Sequence, residues 1–287
     1  MKELQTTLTV YKKEGETPLE CLDRLRAEHP EYKDAVLSYA GRLDPMAEGA
    51  ILILVNEANK EREKYLGLDK EYEVDILFGV STDTGDVLGK IVSQSEFVSG
   101  EDRVGTRSPQ GGRDEDPANA GSEVTQVFVR NKLTETEYLE AALESFVGPL
   151  KQKYPHYSSR TVEGKPLFQW AREGRLAEIE IPERSSEIYS IEMLDTYGLS
   201  AEEILKSVQE RVDKVKGNFR QEEIITSWKL ALEEDPERTF SLAKIKVACS
   251  SGTYMRTLAE SVAQKLGTTA IAWKIKRTLL FSRSKVL

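Results

Sequence analysis

Apolar residues along the chain recur in two rhythms, and each marks a different kind of element. Tyr72, Val74, Ile76 and Phe78 alternate with polar neighbours, which predicts a strand carrying those four side chains on one face. The unbroken apolar run from Ala50 to Val55 predicts a buried strand. The Thr-rich start, with Leu8 and Val10, suits an edge strand, and residues 90–93, 124–129, 176–181, 188–195, 240–249 and 270–280 also read as strands. Helices announce themselves by their starts. Thr17-Pro18-Leu19-Glu20 combines an N-cap, a proline at the first helical position and a capping-box glutamate, and predicts a helix to residue 28. Asn56 caps a polar helix that stops at Gly67, and Thr134 with Glu137 opens one whose buried stripe is Leu139, Ala142, Leu143 and Phe146. Residues 165–173 form a short helix ended by Gly174, Ser200 and Glu203 open a charged helix reaching about residue 216, and residues 255–266 form a helix stopped by Gly267.

Helices and strands mix without the regular alternation of a doubly wound sheet, so the class is α+β. No repeat or linker divides the chain, and residues 1–287 read as one domain. Residues 99–123 are rich in Gly, Ser, Pro and Asp with Val104 as their apolar exception; too little surface is available there to offset ordering entropy, and a mobile insertion is expected.

Composition narrows the chemistry. At 39% hydrophobic and 31% charged the chain is an ordinary globular one. No apolar run approaches the roughly 18–20 residues of a membrane span, and the N-terminus has no apolar stretch of a secretory signal, so a cytoplasmic protein is expected. Cys21 and Cys249 are far apart, outside any Cys-x-x-Cys spacing, and His29 and His156 are the two histidines; thiolate or histidine zinc centres and a Ser-His-Asp triad lose support. Phosphate-loop and dinucleotide-binding glycine motifs are absent. Any catalysis then falls to carboxylates, tyrosines and arginines.

The net charge of −9 conceals an asymmetry. Residues 148–176 carry six cations against two glutamates, and residues 240–287 carry nine cations against Glu260. Tyr154, Tyr157, Phe168, Trp170, Tyr254 and Trp273 are interleaved with them. Two basic, aromatic segments in an acidic body point to a polyanionic ligand, although basic residues also solvate exposed faces.

The segment Tyr39-Ala40-Gly41-Arg42-Leu43-Asp44-Pro45-Met46-Ala47-Glu48-Gly49 places a carboxylate in a loop that enters the buried strand, where it can be held rigidly as a nucleophile or base. Asp-Pro pairs also initiate turns, and spacing alone does not separate the two readings. That segment, with Asp69-Lys70-Glu71-Tyr72-Glu73-Val74 and Phe78-Gly79-Val80-Ser81-Thr82-Asp83-Thr84-Gly85-Asp86, resembles the tRNA pseudouridine synthase B (TruB) family. Tyr154-Pro155-His156-Tyr157-Ser158-Ser159 with Glu163-Gly164-Lys165, and the run Cys249 to Leu258, extend the resemblance in family order across most of the chain.

The resemblance implies a pseudouridine synthase core with a central mixed or antiparallel sheet flanked by helices and loops. It also implies isomerisation of a uridine to pseudouridine at position 55 in the TΨC loop of tRNA, without cofactor or metal. Residue by residue, it makes Asp44 the catalytic carboxylate, Tyr72 the tyrosine that stacks on the base and Arg256 the partner of the carboxylate. Tyr254 and Ile275 match pocket positions, and Tyr39, Lys165 and Tyr157 are expected to meet substrate. Residues 148–176 would clasp the RNA, with His156 a further contact, and Asp83 and Asp86 would shape a turn rather than hold a metal. Tyr39 stands where the family often has histidine, Lys12-Lys13-Glu14-Gly15 replaces a Lys-Pro-x-Gly motif, and no C-terminal PUA module is expected after the core. The implied partner is the TΨC stem-loop, with no membrane and a monomeric enzyme. Competing readings are an RNA-binding protein or chaperone without catalysis, and a glycosidase-like hydrolase pairing Asp44 with Glu48.

Overall fold

The period-two segment forms a strand in which Tyr72, Val74, Ile76 and Phe78 enter one core cluster while Leu77 enters the cluster on the other face. The computed structural model describes residues 6–95 and 135–282. The insertion expected at 99–123, the strand expected at 124–129 and the cap at Thr134 lie outside them.

In chain order the elements are β1 (Thr7–Lys12), α1 (Pro18–Glu28), β2 (Leu37–Ala40), β3 (Ala47–Val55), α2 (Arg62–Leu66), β4 (Asp69–Phe78), β5 (Val80–Thr82), β6 (Ile91–Gln94) and α3 (Glu135–Glu144). They continue with β7 (Gly148–Lys153), β8 (Thr161–Val162), β9 (Lys165–Pro166), α4 (Leu167–Arg172), β10 (Glu183–Ser200), α5 (Ala201–Val212), α6 (Gln221–Leu232), β11 (Thr239–Cys249), α7 (Met255–Lys265) and β12 (Ala270–Phe281).

The main sheet runs β1-β3-β12-β4-β11-β10-β7, with β2 added on β3. Its pairs are antiparallel except β3 with β12, so the sheet is mixed and the class is α+β. On one face α1, α3 and α7 pack through Leu22, Leu25, Leu139, Leu143, Leu258 and Val262. On the other, α5 and α6 pack Ile204, Val208, Ile224 and Trp228 against Leu77, Leu242, Ile271 and Trp273. The capping boxes at Thr17 and Ser200 both form, which fixes where α1 and α5 begin. No described helix is long and apolar enough to cross a membrane.

Several elements differ from expectation. Residues 176–181 are not a strand: Leu176–Glu178 is a 3-10 turn, closed by the Arg175–Glu178 ion pair at 2.6 Å. The neighbour of β7 is instead the 18-residue β10, which pairs with β7 through its first part and with β11 through the rest. Asn56 does not cap a helix; at φ +48 its side chain accepts from the Val36 amide, and a 3-10 segment, Asn56–Glu61, precedes the short α2. The helix expected to residue 216 stops at Val212, and α6, β2 and β7 were not foreseen.

Candidate active site

Asp44 lies in the β2–β3 loop, where neighbouring strands leave it little freedom. At Gly49 (φ +110) a Cβ would stand 2.1 Å from the Arg277 carbonyl oxygen, so only glycine lets β3 run beside β12 there. Lys12 is fully buried and its Nζ donates to the carbonyls of Lys13 (2.9 Å), Glu16 (2.6 Å) and Pro45 (3.2 Å). The Gly15 amide donates to the same Pro45 oxygen at 2.9 Å, so the Lys12-Lys13-Glu14-Gly15 stretch anchors the turn that follows Asp44. Burial, partly offset by Glu16, pushes the Lys12 pKa down to about 8.

Arg256 arrives from α7. Tyr254 caps that helix, and its backbone is gripped from β7 by the Gln152 amide, which accepts from the Tyr254 N–H (3.0 Å) and donates to the Tyr254 carbonyl (3.1 Å). Arg256 is 3% exposed. Its Nη1 donates to Thr84 O at 2.6 Å and its Nη2 to Tyr157 O at 3.2 Å. Nε stands 2.9 Å from Asp44 Oδ2 and 3.9 Å from Asp86 Oδ2. The Nε–H axis points off the carboxylate, so the Asp44 contact is an ion pair rather than a well-aligned hydrogen bond. Burial opposes the charge on Arg256, yet Asp44, Asp86 and Glu260 together raise its pKa above the ordinary arginine value. Burial pushes the Asp86 carboxyl up despite Arg256, while its Oδ1 accepts from Thr84 Oγ1 (2.7 Å) and the Leu88 amide (3.0 Å).

The Asp44 side chain retains 34% exposure and faces a cavity of about 740 Å³. Tyr72, Tyr254, Ile275, Arg256 and Tyr157 line the same cavity. The sheet explains the meeting: Ile275 pairs with Ala47 across β3 and with Val74 across β4, and Tyr72 pairs with Arg277 and Val247. Tyr72 is 7% exposed, and burial raises the pKa of its phenol although Arg277 pulls the other way. Arg277 Nε donates to Ala50 O (2.6 Å) and Nη2 to Gly41 O (3.0 Å), tying β12 to the loop before Asp44. The arrangement offers a carboxyl group beside a cation, with an aromatic wall and an apolar floor, in a cavity of about 740 Å³.

Not every predicted contact comes to this cavity. Tyr39 is not among its walls; its ring packs on the core, with Arg42 Nη2 3.4 Å from its hydroxyl. Lys165 is also elsewhere, 2.6 Å from Glu173 and over the Trp170 ring at 3.8 Å, and Glu48 does not line the cavity. His156 is exposed. Asp83 and Asp86 face arginines, and among the described residues no group of three or more His, Cys, Asp or Glu gathers as a metal site. Sequence reasoning passed over Lys70, Arg184, Arg277, Gln152 and the Asn218-Phe219-Arg220 loop, all of which line the cavity or hold its walls. Arg277 was legible as a cation in the basic segment 240–287; Arg184 lies between the segments read as basic or as strands, and the loop at 218–220 carries no motif.

The TruB family pseudouridylate synthase (N terminal domain) profile matches residues 32–107 and 110–218, well over half of the sequence. The chain belongs to the TruB family. Its relatives named tRNA pseudouridine synthase B include that of Syntrophus aciditrophicus, 30% identical over 240 residues, covering 83% of this chain and 51% of the relative. The Bordetella avium protein is 29% identical over 244 residues, with 85% and 69% covered, and the Lactococcus lactis protein 29% over 275 residues, with 96% and 61% covered. This TruB family chain thus spans about half the length of the first of these relatives. A chain in the crystal structure of a Cbf5-Nop10-Gar1 complex overlays 96% of it at 14% identity and a TM-score of 0.49, covering 50% of that chain.

Proposed function

We propose that the protein converts a uridine of tRNA to pseudouridine, with Asp44 as the reacting carboxylate. The observation that carries this reading is the 2.9 Å contact between Asp44 and Arg256 inside the cavity walled by Tyr72, Tyr254 and Ile275. The relatives named tRNA pseudouridine synthase B support tRNA as the substrate.

The reaction breaks the N1–C1′ bond, turns the detached uracil and joins its C5 to C1′; the proton on C5 is then lost. A carboxylate serves this sequence as nucleophile at C1′ or as the base that takes the C5 proton. Arg256 orients the carboxylate through the 2.9 Å contact and sets a fixed positive charge beside it. Tyr72 offers its ring to the everted base, an interaction worth about 1–3 kcal/mol, against a flipping cost of a few kcal/mol. Ile275 supplies the apolar floor on which the loosened uracil rotates.

The reading extends to the TΨC stem-loop at position 55, to a monomer acting in the cytoplasm, and to residues 148–176 as the segment that grips RNA. Its support there is the family resemblance and, for the RNA-gripping segment, Arg172 on the cavity wall. The test is pseudouridine mapping on unmodified tRNA transcripts incubated with the purified protein alone. One modified TΨC uridine with the parent and none with Asp44→Asn supports the proposal; equal product from both removes Asp44 from its role. Free uracil released from the RNA instead would identify a hydrolase.

A further inference from the structure

Two carbonyls orient the guanidinium of Arg256, those of Thr84 and Tyr157, and both belong to a cluster organised by a residue distant in sequence. The connection between α5 and α6 brings Asn218, Phe219 and Arg220 into the wall of the cavity that holds Asp44. Arg220 adopts φ +65, ψ +32, the left-handed region that side chains other than glycine enter at a cost. Such a conformation persists where the surroundings over-determine it.

Here they do. Arg220 Nη1 is 2.6 Å and Nη2 3.3 Å from the two oxygens of Asp83, a two-pronged pair. The same guanidinium lies 4.5 Å from the centroid of the Tyr157 ring, and the Tyr157 hydroxyl donates to Asp83 Oδ2 at 3.3 Å. The Lys90 amide donates to Asp83 Oδ1 at 2.9 Å, fixing the carboxylate from its own turn. Arg172 of α4 adds a second tie, donating to Asn218 O at 2.8 Å. Asp83 directly precedes Thr84, so one prong of the Arg256 cradle follows Asp83 along the chain and the other follows Tyr157 across the cavity.

We propose that Arg220 is a positioning residue: through Asp83 and Tyr157 it holds the two carbonyls that aim Arg256 at Asp44. The inference rests on the reading of the site as pseudouridine-forming. Its geometry requires no contact between Arg220 and the reacting base.

The test uses the full chain and Arg220→Gly, which accommodates φ +65 without strain while deleting the latch, beside Asp83→Asn and Arg220→Lys. With unmodified tRNA transcript, Arg220→Gly is expected to lower kcat by ~10- to 100-fold. Its KM should stay within about threefold of the parent, because uniform binding is untouched. Its melting temperature should fall by no more than a few degrees, because relief of the left-handed strain offsets part of the lost Asp83 pair; Asp83→Asn should match it in kcat, and Arg220→Lys should retain an intermediate kcat. In the free protein, amide exchange across residues 154–160 should accelerate in Arg220→Gly. An unchanged kcat, a loss confined to KM, or amide exchange at residues 154–160 that does not change relative to the rest of the chain overturns the proposal. Absence of pseudouridine with the parent protein refutes the functional reading instead; unaltered amide exchange in Arg220→Gly then still overturns the latch.

Discussion

Arg256 is the residue whose removal the structure makes most consequential, and Arg256→Met keeps its approximate volume while deleting the charge. The substitution empties the donors to Thr84 O and Tyr157 O and leaves Asp86, 5% exposed, without the cation 3.9 Å away. Breaking a buried pair by removing one partner costs ~3–5 kcal/mol, since the surviving charge is left uncompensated. For a protein of this size that is a drop in Tm of ~6–10 °C, at ~2 °C per kcal/mol. The deficit has a signed pH dependence. Asp86 already has a raised pKa, burial being the largest cause and Arg256 the opposing pull, so losing Arg256 raises it further. A carboxyl with a folded pKa above its unfolded value binds more protons when folded, and the penalty is full above the folded pKa and relieved as pH falls through it. The gap in Tm between parent and variant should therefore narrow from pH 8 to pH 5. Adding Asp86→Asn, which keeps the acceptor for the Leu88 amide, removes the orphaned charge and should restore stability to within ~1–2 kcal/mol of the parent. Pseudouridine formation should not return, because Asp44 still lacks its partner. Calorimetry and product mapping on the two variants read both quantities. A gap that widens on acidification, or a double variant no more stable than Arg256→Met, would refute the electrostatic reasoning; recovery of activity in the double variant would refute the role assigned to Arg256.

Gly49→Ala places a Cβ 2.1 Å from the Arg277 carbonyl oxygen at φ +110, so denaturant unfolding should show a loss of ~2–5 kcal/mol, and an unchanged midpoint would contradict the close passage of β3 and β12. Lys70, whose pKa falls to about 8 chiefly through burial and next through Arg277, is destabilising while charged; its penalty is full below pH 8 and is relieved as pH rises toward 10.5. The advantage of Lys70→Met over the parent in stability should accordingly shrink across that window, and a constant advantage would argue against the shift. If the cavity cations meet RNA phosphates, tRNA affinity should fall with salt at a log–log slope of roughly −0.7 to −0.9 for each phosphate contacted, and a flat response would remove them from the interface.

What was legible in the sequence follows from how local each determinant is. The strand at Tyr72 to Phe78 and the helices opened at Thr17 and Ser200 were readable because alternation and capping boxes act within a few residues. The α6 helix was not: Arg220 begins it in a left-handed conformation, without the Ser, Thr, Asp or Asn that signals a start, and is held there by Asp83 from another part of the chain. Leu176 to Ile181 looked like a strand because its apolar residues alternate, but the Arg175–Glu178 pair closes a turn there. In the site, Asp44, Tyr72, Tyr254, Arg256 and Ile275 were nameable from family blocks, and the structure brings them to one cavity. Gln152, Arg277 and Arg220 were not, since each acts across strands or loops on backbone atoms or a distant carboxylate, a relationship that leaves no spacing to read.

The most direct measurement of the central claim is release of tritium from tRNA transcript labelled at C5 of uridine, made with the parent and with Asp44→Asn at matched tRNA occupancy. The account predicts stoichiometric release from a TΨC uridine with the parent and none with the variant, although both bind the tRNA equally. Release by Asp44→Asn at the parental rate would contradict it.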